Sequence, residues 1–269
     1  MRVVRRGATW LAMVALAAAA GCSRSKALTP EESAAKGDTL LRRMSASLTA
    51  AQTFSFSGEE RREQVHANGE KREDRFTRKI VVRRPNLVTF TDSGGDRNGT
   101  AWYDGAHLTV VSHRAKAWAR GPMPPTLDEA MDYVSKEYAL QVPIADLLYS
   151  SPYDALMTKD TKGGWVDVQT VGGRSCDHLA YQHPAVDWEI WLSQDQKALP
   201  CQLRITYKND FGKPSTLVTF SDWNEAPAVT AATFTPTVPP DYQRIRMIRH
   251  AAVADNAAAI ATPAKAAGR

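Results

Sequence analysis

Apolar and polar positions alternate along most of this chain. Between residues 53 and 65, Phe54 and Phe56 fall on one face and Ser55 and Ser57 on the other, the period of a half-buried strand. Residues 71–83 continue the pattern with Phe76, Ile80 and Val82, after an Asn68-Gly69 pair that marks a tight turn. Arg84-Pro85-Asn86 then breaks the chain. Shorter strands are predicted at 87–92, 100–103, 107–112 and 116–120, with Gly94-Gly95 and Asp104-Gly105 as turns between them. Five more strands follow at 165–171, 174–182, 186–193, 201–208 and 215–223. In the third of these, Val186, Trp188, Ile190 and Leu192 alternate with Asp187, Glu189 and Trp191. In the fourth, Leu203, Ile205 and Tyr207 alternate with Gln202, Arg204, Thr206 and Lys208. The spacing suits hairpins and leaves no room for helical crossovers, so an antiparallel sheet with one wet face is expected.

Helical periodicity occupies the gaps. Leu40, Leu41, Met44, Leu48 and Ala51 share one face. Thr29 or Asp38 caps that helix, depending on whether Gly37 interrupts it. Thr126-Leu127-Asp128-Glu129 reads as a capping box, and the helix it opens runs to about residue 138 with Leu127, Ala130, Met131, Val134 and Tyr138 on one side. Two shorter helical pieces are expected near 143–149 and 152–157, and Phe234 with residues 242–248 adds an edge piece at most. Six strands, a helical insert and five strands make a mainly β (α+β) domain over residues 38–248.

The N-terminus changes the picture of where this domain works. Three arginines precede an apolar run from Ala8 to Ala20, about the length of a signal-peptide core and too short to span a bilayer. The run ends in Ala19-Ala20-Gly21-Cys22, which resembles the lipobox of bacterial lipoprotein precursors, with Ala19 where Leu is usual. Residues 1–21 are therefore read as a signal peptide, Cys22 as the acylated residue and 22–37 as a tether. Ordinary cleavage after Ala18-Ala19-Ala20, giving a soluble periplasmic protein, is the competing reading. In lipoproteins of this type, Ser23 after the Cys implies delivery to the outer membrane. Residues 249–269, with ten alanines in the last nineteen positions, read as a disordered tail.

Losing residues 1–21 takes the formal charge from +5 to +2, so nucleic-acid binding is not indicated. Cys176 and Cys201 are the cysteines left after Cys22. An oxidising compartment favours pairing them. The strand reading argues the other way, placing them two strands apart at roughly 9–10 Å, where a disulfide needs Cα atoms within about 7 Å. Both outcomes stay open. Residues 59–84 hold nine Lys or Arg and six Asp or Glu, and read as a hairpin with a solvated outer face or, alternatively, as a docking surface for an anionic partner.

No motif of nucleophilic, nucleotide or dinucleotide chemistry is present in the sequence, and no cofactor is implied. His178 and His183, with Asp177 or Asp187, come nearest to a metal cluster; hydrogen-bonded surface histidines are the favoured reading, so no metal site is expected. Cys176 and His178 share a strand face without the third group that would brace a thiol–imidazole pair. Trp102, Trp118, Trp165, Trp188, Trp191 and Trp223 fall on or beside strands, as core or as the lining of a cavity.

Six motifs follow in order: Trp102-Tyr103-Asp104-Gly105, Pro125-Thr126-Leu127-Asp128-Glu129-Ala130, Ala145-Asp146-Leu147-Leu148-Tyr149, Val186-Asp187-Trp188-Glu189-Ile190-Trp191, Leu199-Pro200-Cys201-Gln202-Leu203-Arg204-Ile205-Thr206 and Ser221-Asp222-Trp223-Asn224. Together they resemble a bacterial family of predicted periplasmic proteins, over roughly residues 38–248. That family is similar in fold to the Lol-type lipoprotein carriers and receptors. The resemblance implies an open, incomplete antiparallel β-barrel of about eleven strands, with helices in its concave face and acyl chains held in the hollow. A non-enzymatic protein binding a lipid or acylated ligand is the expectation, lined by Met131, Leu147, Leu148, Trp188, Ile190, Leu203 and Ile205. The alternative is an envelope sensor or scaffold that binds another protein and has no ligand cavity.

Overall fold

The computed structural model describes residues 27–138 and 142–249. The signal peptide, Cys22, Ser23 and residues 250–269 of the tail lie outside the described residues. The chain opens with helix α1 (Pro30–Ala50). Six strands follow: β1 (Thr53–Val65), β2 (Lys71–Arg83), β3 (Leu87–Ser93), β4 (Gly99–Tyr103), β5 (His107–Ser112) and β6 (Ala117–Pro122). The helical insert comprises α2 (Leu127–Tyr138), a 3-10 turn at Ala145–Leu147 and α3 (Pro152–Leu156). Then come β7 (Lys162–Val171), β8 (Arg174–Gln182), β9 (Val186–Ser193), β10 (Pro200–Tyr207) and β11 (Ser215–Asn224). A two-residue β12 (Gln243–Arg244) pairs parallel with β6.

All twelve strands form one sheet in the order β12-β6-β5-β4-β3-β2-β1-β11-β10-β9-β8-β7. Each half is a meander, and the halves join where β1, already paired along its length with β2, also pairs antiparallel with β11. Among the described residues β12 and β7 are free edges, and the barrel they leave is open.

The three α-helices and the 3-10 turn of the insert pack on the same face. Leu41, Met44 and Leu48 of α1, Leu127, Ala130 and Val134 of α2, and Leu147 of the 3-10 turn share one core with Phe54, Phe56, Ile80, Val82, Leu179, Ile190, Leu203 and Phe220 of the sheet. The strand alternation thus points one apolar row of each strand at the helices and the other row at solvent.

The tether reading of residues 22–37 ends too late, because α1 begins at Pro30. Thr29 closes a capping box: its hydroxyl accepts from the Glu32 N–H at 3.2 Å, and the Glu32 carboxylate accepts from the Thr29 N–H at 2.8 Å. Gly37 sits inside the helix and is buried. A Cβ there would lie 2.6 Å from the Tyr181 hydroxyl and 3.0 Å from Gly164 Cα, so glycine lets α1 lie directly on β7 and β8.

Arg84, between β2 and β3, ties the helices together. Its guanidinium donates to the carbonyls of Leu148 (3.1 Å), Tyr149 (3.0 Å) and Leu48 (3.4 Å), satisfying groups that a helix end leaves orphaned. No helix among the described residues is long and apolar enough to cross a membrane.

Cys176 and Cys201 are joined in a disulfide with Cα atoms 6.9 Å apart, not the 9–10 Å expected of flat, regular strands. The register explains the difference. Pro200 pairs with Leu192 and Gln202 with Trp191, which leaves Cys201 as the extra residue of a bulge on β10. A bulge bends its strand and re-aims the side chain. Cys176 pairs with Ser193, the last residue of β9, so the bridge reaches over the end of the intervening strand. Both cysteines are fully buried with Val171 and Trp191 in a small cluster on the face away from the helices.

Candidate binding site

The helices do not fill the space over the sheet evenly. Over the first half they leave a cavity of 530 Å³ between α2 and strands β2–β5. Its apolar wall is formed by Phe90, Ala101, Tyr103, Leu108 and Val110 of the sheet, Met123 after β6, and Ala130, Met131 and Val134 of α2. Over the second half, a cavity of 180 Å³ is lined by Asp146, Leu156, His183, Val186, Trp188, Leu203 and Ile205, among others.

The seven residues expected to line a single hollow divide three ways. Met131 faces the larger cavity, and Trp188, Leu203 and Ile205 face the smaller. Leu147, Leu148 and Ile190 line neither; at 1%, 0% and 0% exposure they form the packed core between the two. The helical insert is pinned to the sheet here, so these side chains meet other side chains and not open space. Of the tryptophans, Trp188 lines the smaller cavity, stacked on Tyr181 at 4.3 Å. Trp223 packs on Phe56, while Trp165 lies beneath Lys36 and Trp118 beneath Arg244.

The mouth of the larger cavity is charged. Arg62, Arg78, Asp92, Asp96 and Arg97 line it. Arg78 grips Asp92 with two hydrogen bonds of 2.7 Å, and its third nitrogen lies 3.0 Å from Glu60. Arg62 donates to the same Glu60 at 2.8 Å. Burial pulls the Arg78 pKa down, but the Asp92 hydrogen bonds and the charges of Glu60 and Asp92 outweigh it and raise it.

The solvated-hairpin reading of residues 59–84 therefore fails for its inward row. Glu60 is 1% exposed and Arg78 7%. The signal was present in the sequence: Glu60 and Arg62 share parity with Phe54 and Phe56, and Arg78 shares it with Phe76 and Ile80.

Other polar groups around the two cavities are held quiet. The Tyr103 hydroxyl donates to the Pro124 carbonyl at 2.6 Å. Burial, then the charges of Glu129 and Asp104, push its pKa up to about 12, so the phenol is neutral at physiological pH. In the smaller cavity no hydrogen bond or ion pair reaches the Asp146 carboxyl among the described residues, and burial pushes its pKa up to about 6.

His178 lies on the opposite face of the sheet. It sits between Asp167 (3.1 Å) and Glu189 (2.9 Å) and stacks on Trp191 at 4.4 Å. Asp177 points the other way, accepting from the Trp165 indole N–H at 2.7 Å. The structure therefore does not bring His178, His183, Asp177 and Asp187 together, and Cys176 is occupied by its disulfide. No group of three metal-ligating side chains arranged to hold an ion occurs among the described residues.

An open antiparallel sheet with apolar space left between it and its helices defines an open-barrel, cavity-bearing protein. The chain belongs to the family described as predicted periplasmic protein (DUF2092), whose model matches residues 37–248. No curated protein matches it in sequence. Among solved structures, it is similar to an uncharacterized conserved protein from Thermus thermophilus, with 10% identity and a TM-score of 0.45 over 78% of this chain and 98% of that one. It is also similar to the Mycobacterium tuberculosis lipoprotein LppX, with 15% identity and a TM-score of 0.44 over 71% and 98%. A LolA superfamily protein from Nitrosomonas europaea matches with 12% identity and a TM-score of 0.39 over 75% and 98%.

Proposed function

We propose that this protein is a non-enzymatic carrier or receptor of the bacterial envelope that shelters an acyl chain in the larger cavity. The observation that carries the reading is the 530 Å³ of apolar-walled space between α2 and the sheet. Protein interiors close-pack and leave few voids larger than a water molecule. Small-molecule sites occupy roughly 300–1,000 Å³. Burying about ten methylenes contributes roughly 8 kcal/mol, a micromolar Kd before the cost of immobilising the chain. The family's periplasmic description supports an envelope location. Acylation of Cys22 and delivery to the outer membrane complete the proposal.

The test is native mass spectrometry of the full chain carrying Cys22→Ser, purified without detergent. A co-purifying lipid, or uptake of added fatty acid or phospholipid, is expected. Ala101→Trp, which fills the cavity from β4, should abolish both. A clean apo mass with no uptake refutes the reading and favours a scaffold that binds another envelope protein.

A further inference from the structure

Three arginines at the mouth of the larger cavity converge on one buried ring. The guanidinium carbons of Arg97, Arg62 and Arg78 lie 4.7, 5.3 and 5.3 Å from the centre of Phe76. Two of the three are committed: Arg78 to Asp92 and Glu60, and Arg62 to Glu60. Arg97 is held more loosely. Its Nε lies 3.8 Å from Asp74, an ion pair beyond hydrogen-bond length, and no hydrogen bond from its guanidinium occurs among the described residues. Its neighbour Asp96 is turned to Arg114.

Burial, then the like charges of Arg62 and Arg78, pull the Arg97 pKa down and outweigh the opposing charges of Asp92 and Glu60. The side chain is 39% exposed, so solvent reaches it while apolar space lies behind it. A guanidinium fork with free donors matches the oxygens of a carboxylate or a phosphate.

Resting on the acyl-chain reading above, we infer that Arg97 binds the anionic head of a single-chain amphiphile whose tail fills the cavity. Carboxylate and phosphate heads share this chemistry, and the test separates them. Laurate, monododecyl phosphate and dodecanol carry the same chain on different heads. Their binding to the purified protein and to its Arg97→Gln variant is measured by calorimetry.

At least one anion should bind about tenfold or more tighter than dodecanol, as a charge-assisted hydrogen bond provides. The anion that shows the advantage identifies the head. In Arg97→Gln the advantage should collapse while the Kd for dodecanol stays unchanged, which also reports that the variant is folded. Equal affinity for all three probes, or an anion advantage that survives Arg97→Gln, overturns the head-group assignment and leaves the chain site standing. Failure of every probe to bind the wild-type protein removes the chain site and the assignment with it.

Discussion

Reducing the Cys176–Cys201 disulfide should lower stability by about 3.5 kcal/mol while leaving the sheet folded. The two residues are 25 apart in sequence. Opening a loop of that size returns roughly 12 cal/mol/K to the unfolded chain, or about 3.5 kcal/mol at 25 °C. The native side of the balance changes little. Both cysteines are fully buried against Val171 and Trp191, and a free thiol packs there as a small hydrophobe. Reduction therefore isolates the covalent link. The double variant Cys176→Ala, Cys201→Ala also removes both sulfurs and should lose on the order of 1 kcal/mol more for each.

The assay is urea unfolding followed by tryptophan fluorescence and far-UV circular dichroism, with and without reductant. An uncrosslinked chain exposes more surface on unfolding, so the denaturant slope should rise as the midpoint falls. A loss under about 1 kcal/mol with an unchanged slope would refute the chain-entropy argument for this bridge.

Two further predictions concern groups whose environment conflicts with local preference. Asp146 has a carboxyl pKa raised to about 6, so its protonated form is favoured in the folded state. Its stability contribution is complete below the unfolded value near 4 and is lost as pH rises through 6. Asp146→Asn should accordingly stabilise the protein by about 2–3 kcal/mol at pH 8 and by almost nothing at pH 3, read from urea midpoints at both values; an equal effect at the two pH values contradicts the burial argument. Gly37→Ala should gain about 1 kcal/mol of helix propensity yet lose about 1–3 kcal/mol to overpacking against Gly164 and the Tyr181 hydroxyl, for a net lower midpoint. A higher midpoint would show that α1 can lift from β7 at no cost.

Most strands were legible because their pattern is local. Leu203, Ile205 and Tyr207 name a face without reference to anything else in the chain. The β1–β11 seam was not, since nothing in residues 53–65 specifies a partner about 160 positions away. Gly37 was ambiguous for a related reason: its cause is a contact with β7 and β8, not a property of residues 30–50. The bulge at Cys201 carries no glycine or proline at the extra residue to announce it. The inward charges of Glu60 and Arg78 were legible by parity and missed by taking charge to mean exposure.

The cavity sits between these cases. Periodicity showed that Met131 and Ile190 point inward, and Leu148 was expected to join them. It did not show which of them would meet empty space, because that depends on what lies opposite. Opposite Leu148 and Ile190 are α1, the end of the insert and large aliphatic or aromatic side chains of the sheet. Opposite Met131 are Gly99 and Ala101 on β4, with Ala130 beside it on α2. Small residues on both sides of one inter-layer gap cannot fill it once the bulkier neighbours set the spacing. The binding space thus follows from a local shortage of side-chain volume along two facing elements, a quantity that becomes readable only when the pairing of those elements is known.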